Sequence, residues 1–186
     1  ISLALDAAAS SFCDKQNRQY DFRWSGTGRR SSEEMLHFYR KMCEKYAVIS
    51  IEDPLDENDW SGFTLMTEQL GEKVQIVGDD LFVTNTRFVQ QGIESNAANA
   101  VLIKLNQIGT VTETVETVQL CQKAGWNYII SHRSGETEDT FMADFSVAMG
   151  GGQIKTGSAS RSERIAKYNR LLEIEASIGA SAQFGR

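Results

Sequence analysis

The chain has 186 residues and is 41% hydrophobic, which is enough to bury the core of one domain. Its formal charge of −6, with no basic run longer than Arg29-Arg30, argues against a protein built to neutralise nucleic-acid phosphates. Its apolar stretches are strand-sized, far short of the roughly 20 residues of a membrane helix, and its three cysteines lack metal-ligand spacing, which predicts free thiols in a reducing cytoplasm.

Six short apolar segments predict β-strands. The first five are continuous apolar or β-branched runs with little alternation, which is typical of parallel strands covered on both faces. The sixth is assigned mainly from its place in the series. The predicted strands cover residues 2–5, 47–51, 74–77, 100–103, 127–130 and 153–154.

Helical patterns lie between and after these strands. Ser31 and Glu34 form a capping-box pattern at the start of a helix over residues 31–46. Thr110 is predicted to cap a helix over residues 111–124 that ends at Gly125. Further helices are predicted over residues 85–94, 140–149 and 160–178. Strand and helix alternate throughout, which predicts an α/β fold built of the βα units of a parallel barrel or a doubly wound sheet. Six strands are predicted, whereas a closed β/α barrel has eight.

A charged or titratable residue follows every predicted strand, either directly or after one intervening residue. In parallel α/β folds the carboxyl ends of the strands converge on the face where ligands bind. The charged positions are Asp6, Glu52-Asp53, Asp79-Asp80, Lys104, His132-Arg133 and Lys155. Three carboxylates on successive strands, Asp6, Glu52 and Asp79, predict an oxygen-ligand site suited to Mg²⁺. The lack of paired Cys and His ligands argues against zinc.

The charged strand ends also have a purely structural interpretation. A single acid at a strand end commonly caps a helix or forms a turn. We expect such a capping or supporting role for Asp53 and Asp80, but six successive charged strand ends are not expected from capping alone. His37 is predicted to be a surface or packing residue, and His132, at a strand end, is predicted to be functional.

A lysine that ends a strand beside a metal site can act as a general base. Removing a proton next to a carboxylate creates a dianionic enolate, which water does not stabilise. Bound metal ions absorb that charge, and a lysine with a lowered pKa accepts the proton. Lys104 and Lys155 are the two lysines at predicted strand ends.

Five motifs resemble those of glycolytic enolases, in the order and with the spacing of that family. They are SIEDP (residues 50–54), VGDDL (77–81), LIKLNQIGT (102–110), ISHRSGET (130–137) and GQIKTG (152–157). The resemblance covers nearly the whole chain, and residues 14–30 are its least distinctive part. It implies an enolase-type β/α (TIM-like) barrel and the reversible, Mg²⁺-dependent dehydration of 2-phosphoglycerate to phosphoenolpyruvate.

The resemblance also assigns roles, residue by residue. Asp6, Glu52 and Asp79 resemble the ligands of the tightly bound Mg²⁺, and Lys104 resembles the base that removes the C2 proton. The remaining residues resemble substrate-binding groups: Arg133 and Ser134 for the phosphate, Lys155 as a second cation on the substrate, and His132 in a supporting role.

Enolases also carry an N-terminal domain, mobile loops and a glutamate general acid, all of which precede the region that residues 1–186 resemble. We therefore expect this chain to be the C-terminal portion of the barrel and to be inactive alone. The family further implies a homodimer or larger homo-oligomer in the cytoplasm, with a reported occurrence at cell surfaces.

Two other interpretations remain open from the sequence. Another enolase-superfamily dehydratase, such as one acting on acid sugars, would share the carboxylates and the lysine base, but it would not need the phosphate-binding residues after His132. A non-catalytic binding fragment is the second alternative.

Overall fold

The computed structural model describes residues 1–185, which divide into two compact units. The first unit comprises Ile1–Phe82 and Arg87–Val101, and the second comprises Val83–Thr86 and the chain from Leu102 onward. Each unit is described by itself.

The first unit contains most of the strands. Its elements in chain order are β1 (Leu3–Asp6), β2 (Cys13–Asp14), β3 (Gln19–Asp21), β4 (Arg29–Arg30), α1 (Ser32–Lys45), β5 (Val48–Glu52), α2 (Trp60–Leu70), β6 (Gln75–Gly78), α3 (Thr86–Ser95) and β7 (Ala100–Ile103). The first residue of α3 and the last two of β7 belong to the second unit. The other elements of the second unit are α4 (Leu105–Ile108), α5 (Val111–Ala124), β8 (Asn127–Ser131), α6 (Phe141–Met149), β9 (Ile154–Lys155) and α7 (Ser162–Ile178).

Parallel pairing joins the strands that the sequence predicts. In the first unit β1 pairs with β5, β5 with β6, and β6 with the start of β7, while β8 and β9 pair in the second. All six predicted strands are present, with ends that differ by at most one residue. The predicted α/β fold is therefore confirmed.

The helix ends follow local chemistry. The Ser31 side chain accepts a hydrogen bond from the Glu34 amide, and the Glu34 carboxylate accepts one from the Ser31 amide, so the predicted capping box of α1 is confirmed. Thr110 caps α5, and Gly125, with a φ of 71°, ends it. A left-handed residue at this position satisfies the last carbonyls of a helix at little cost when it is glycine.

A small antiparallel sheet, which the sequence did not predict, covers part of the least distinctive region. β3 lies between β2 and β4. Tyr20 of β3 is 1% exposed, and the Phe22 ring packs edge-on against those of Phe12 and Phe38, with the Arg30 guanidinium 4.1 Å from its centroid. Helices α2 and α4 were also not predicted.

The expected burial of the first strand is wrong. Leu3 is 47% exposed and Leu5 is half-buried, whereas Ile51 of β5 is fully buried. Ile49 of β5 is also 54% exposed although β5 is paired on both sides, so the exposure reflects sheet faces that the described helices do not cover.

Apolar side chains fill a core in each unit. Ile51, Phe63, Met66 and Ile76 are fully buried in the first unit. Leu102, Ile103, Val118 and Ile130 are fully buried in the second.

All three cysteines are free thiols, as expected. Within residues 1–185, none of the helices is long and apolar enough to cross a membrane.

Candidate active site and metal-binding carboxylates

The first unit places the predicted metal-binding acids at the ends of neighbouring strands. Asp6 is the register partner of Glu52, and Glu52 is the register partner of Val77, two residues before Asp79. Side chains of register partners project to the same face of a parallel sheet. Glu52 is 6% exposed and Asp79 is 7% exposed, while Asp6 is exposed.

A compact group of carboxylates forms around Asp79. Oxygen atoms of Asp53, Asp79 and Asp80 lie within 4.8 Å of one another, the one such group of three or more possible metal ligands in residues 1–185. Both carboxylate oxygens of Asp53 accept backbone N–H groups, from Asp79 and from Asp80, each at 2.9 Å. Asp53 therefore fixes the backbone that carries Asp79, as its expected supporting role requires.

The electrostatics of Asp53 follow from its position. The pKa of its carboxyl is raised to about 7, chiefly by burial and also by the charges of Asp79 and Asp80, while the two N–H groups act to lower it. A positive ion beside these acids would relieve this repulsion. The donor set is made only of carboxylates, some of them buried, and it fits a hard divalent cation such as Mg²⁺.

In the second unit Lys104 directly follows β7. Its backbone N–H donates to the Thr84 hydroxyl at 2.9 Å, and that hydroxyl donates to the Gln107 side-chain oxygen at 2.9 Å. Thr84 is fully buried, and its carbonyl accepts a hydrogen bond from Thr117 of α5. The main chain at Lys104 is therefore anchored to the interior of this unit, while its side chain is half-buried.

The ends of β8 and β9 carry the four other predicted site residues, His132, Arg133, Ser134 and Lys155. Ser131 is the register partner of Lys155, and the His132 N–H donates to the Lys155 carbonyl at 2.9 Å. Arg133 is exposed, and its Nη1 donates to the Asn106 side-chain oxygen at 2.9 Å. Ser134 follows Arg133 and is also exposed.

Helix α7 carries two buried cations that the sequence analysis missed. Arg164 is 7% exposed and donates to His132 Nδ1 and to the carbonyl oxygens of Arg133 and Ser134. Lys167 is fully buried. The available signal was their spacing, since positions i and i+3 share one face of a helix.

The ammonium group of Lys167 is held by three acceptors. It donates to the carbonyl oxygen of Thr137, to that of Glu163 at 2.8 Å, and to Glu136 Oε2 at 2.8 Å. The other Glu136 oxygen accepts the Arg133 N–H at 3.0 Å. Burial raises the pKa of Glu136, but Lys167, the Arg133 N–H and Arg164 lower it more, so the net pKa lies below its ordinary value.

Two further features complete the description. A cavity of about 200 Å³ lies beside the small antiparallel sheet, lined by residues that include Cys13, Tyr20 and Asp56. None of the predicted site residues lines it, so we assign it no part in the chemistry. His37 is exposed, as expected.

Alternating strands and helices, parallel strand pairing and charged strand ends are the characteristics of β/α-barrel domains. The chain belongs to the family "Enolase, C-terminal TIM barrel domain", whose model matches residues 1–186. It is 67% identical over 186 residues to enolase 1 of Methylococcus capsulatus and 62% identical over 184 residues to the enolase of Desulfotalea psychrophila. These matches cover 100% and 99% of this chain but 44% of each relative, so the chain spans less than half their length.

Proposed function

We propose that the protein carrying this chain is an enolase, a carbon–oxygen lyase that reversibly dehydrates 2-phosphoglycerate to phosphoenolpyruvate. The observation that carries the proposal is the family match along the whole chain, with 67% identity to an enolase. Because the chain spans 44% of those relatives, the activity is proposed for the full-length protein.

The carboxylates are proposed to hold a divalent cation, Mg²⁺, with Asp6, Glu52 and Asp79 as ligands. Their register on neighbouring strands supports this set. Asp53 would act indirectly, by holding the Asp79 backbone. The cation supplies positive charge where the substrate carboxylate gains negative charge.

Lys104 is proposed to be the general base that takes the proton from C2 of the substrate. The electrons of that C–H bond then pass into the carboxylate as an enolate, which Lys155 stabilises as a second cation. Departure of the C3 hydroxide completes the elimination. The departing C3 hydroxide must receive a proton from a general acid, which we do not place among residues 1–185.

The phosphate is proposed to bind Arg133 and Ser134. A guanidinium offers paired N–H donors that match phosphate oxygens, and a hydroxyl adds one more donor. Both side chains are exposed, and Asn106 already orients the guanidinium. His132 is proposed to contact the substrate in a supporting role.

The test is turnover by the full-length protein carrying this sequence. We expect phosphoenolpyruvate from 2-phosphoglycerate with Mg²⁺ present and none after chelation, and we expect acid sugars not to react. Dehydration of an acid sugar with no turnover of 2-phosphoglycerate would favour the other superfamily dehydratase. Failure on all substrates would favour a non-catalytic binding protein.

Cellular setting and assembly are also proposals. We propose a cytoplasmic homodimer or larger homo-oligomer. Sedimentation of the full-length protein tests the assembly, and a monomer at micromolar concentration would contradict it.

A further inference from the structure

One guanidinium contacts three successive residues after β8. Arg164 Nη1 lies 2.8 Å from Nδ1 of His132 and 2.9 Å from the Arg133 carbonyl oxygen. Its Nη2 lies 3.2 Å from the Ser134 carbonyl oxygen. The residues proposed to bind the phosphate end of the substrate are therefore held by a side chain that is itself buried.

These contacts determine where the imidazole of His132 carries its proton. Arginine stays protonated and only donates hydrogen bonds. Since Nη1 has two hydrogens and the Arg133 carbonyl takes one, the other points at Nδ1. Nδ1 must accept it, so the single ring proton lies on Nε2. In a charged imidazolium the Nδ1–H would point at the Nη1–H of Arg164, with the two nitrogen atoms only 2.8 Å apart.

The groups around His132 favour the neutral ring. Burial lowers the pKa of His132, and the positive charges of Arg164 and Lys155 lower it further. A backbone hydrogen bond with Thr156 and the charge of Glu136 act in the opposite direction, but the net pKa lies below the ordinary value.

The Arg164 side chain has little freedom to move away. A Cβ at Gly157 would lie 2.9 Å from Arg164 Cδ, so the glycine after β9 allows the stem of Arg164 to pass closely. The Arg133 backbone makes two of these contacts, because its carbonyl accepts from Arg164 and its N–H donates to Glu136. Glu136 in turn pairs with Lys167, which lies in α7 with Arg164.

We propose that Arg164 is a positioning residue, which holds His132 as the neutral tautomer with its proton on Nε2 and fixes the backbone of Arg133 and Ser134. The catalytic consequence rests on the proposed function, whereas the tautomer can be measured without any substrate.

The direct test is side-chain ¹⁵N NMR of His132 in the full-length protein, assigned by loss of its signals in His132→Gln. At neutral pH we expect an unprotonated Nδ1 and a protonated Nε2. A protonated Nδ1, or a doubly protonated ring, would overturn the proposal. This measurement needs no Arg164 variant, so it remains decisive even if such a variant does not fold.

Variants of Arg164 separate positioning from folding. Arg164→Met removes the donors, and we expect mixed tautomers, a His132 pKa that rises toward about 6.5 and a kcat/KM for 2-phosphoglycerate reduced on the order of 10- to 100-fold. Arg164→Lys keeps one charged donor but lacks the paired N–H groups of the guanidinium. It should therefore restore the His132 tautomer but not the wild-type KM for 2-phosphoglycerate. Arg161→Met is the matched control, because it removes an exposed guanidinium that precedes α7 and pairs with Glu163, and it should change neither the tautomer nor the KM.

The outcomes distinguish this inference from the proposed function. A wild-type protein that fails to turn over 2-phosphoglycerate, yet shows the expected tautomer, contradicts the function and leaves the Arg164 contact standing. Normal turnover and an unchanged tautomer in a folded Arg164→Met protein contradict the inference alone.

Discussion

At the scale of single residues, Gly157 combines two demands. Its φ is +86°, a region that side-chain-bearing residues rarely adopt, and a Cβ there would meet Arg164 Cδ at 2.9 Å and Cγ at 3.0 Å. Gly125 has a similar φ of +71° but nothing within 4 Å of such a Cβ. A substitution at Gly125 therefore tests backbone strain alone, whereas one at Gly157 tests backbone strain together with steric contact against Arg164.

We predict that Gly125→Ala lowers the free energy of unfolding by about 1 kcal/mol, the cost of a left-handed backbone in an L-residue. Gly157→Ala should cost more, because Arg164 must also shift, and it should raise the KM for 2-phosphoglycerate. Urea unfolding and steady-state kinetics of the full-length protein provide the measurements. Equal stability losses with an unchanged KM in both variants would contradict the packing of Gly157 against Arg164.

At the scale of elements, α5 shows how local chemistry fixes a helix. The Thr110 hydroxyl accepts the Glu113 N–H at 3.2 Å at one end, and Gly125 accommodates the left-handed turn at the other. Both signals lie within the helix's own sequence. This is why residues 111–124 were predicted with the observed bounds.

The cap of α5 gives a second prediction. Thr110→Ala should lower the free energy of unfolding by about 1 kcal/mol, since it leaves a helix N–H without its acceptor. Thr112→Ala, an exposed position in the first turn of the same helix, is the control and should cost nothing. Denaturant unfolding measures both, and equal effects would show that the cap does not matter.

The small sheet and helix α2 were missed for different reasons. Helix α2 begins with Trp60, Ser61 and Gly62, which are weak helix formers, and a Cβ at Gly62 would lie 2.7 Å from Leu55 Cδ1. The small sheet has strands of two or three residues, too short for a periodic pattern. The small sheet is held by packing between residues far apart in the chain, such as Phe22 against Phe38. Helix α2 did carry a local signal, the Asp59 cap that accepts the Gly62 N–H, and the sequence analysis missed it.

Glu136, in the segment after β8, pairs with Lys167 of α7, and this ion pair makes the stability of the protein depend on pH. The Glu136 pKa is depressed in the folded protein, so its stabilising effect is present above its ordinary value of about 4.3. That effect is lost as the pH falls through the lower, folded-state pKa.

We predict that Glu136→Gln costs about 3 kcal/mol at neutral pH, because it leaves the fully buried Lys167 without its counter-charge. The variant should also lose part of the wild-type decline in stability below about pH 4.3. Glu138→Gln, an exposed change two residues further on, should behave as wild type. Unfolding curves across pH measure all three proteins, and parallel curves for both variants would refute the ion pair's contribution.

At the scale of the whole molecule, the alternation of strands and helices predicted the six parallel strands and the α/β fold class, and the five motifs that resemble those of enolases predicted the family. The sequence did not predict Arg164 and Lys167, since their importance depends on which carbonyl groups they reach some 30 residues away. The role of Asp53 was expected, but its contacts with Asp79 and Asp80 required the structure.

The central claim is that Lys104 takes the C2 proton of 2-phosphoglycerate. The most direct measurement is the turnover of this substrate, with Mg²⁺, by full-length wild type, Lys104→Ala and Lys123→Ala, the last an exposed lysine at the end of α5. We predict that Lys104→Ala lowers kcat on the order of 10²- to 10⁴-fold while Lys123→Ala leaves it unchanged. Near-normal turnover by a folded Lys104→Ala protein would contradict the account.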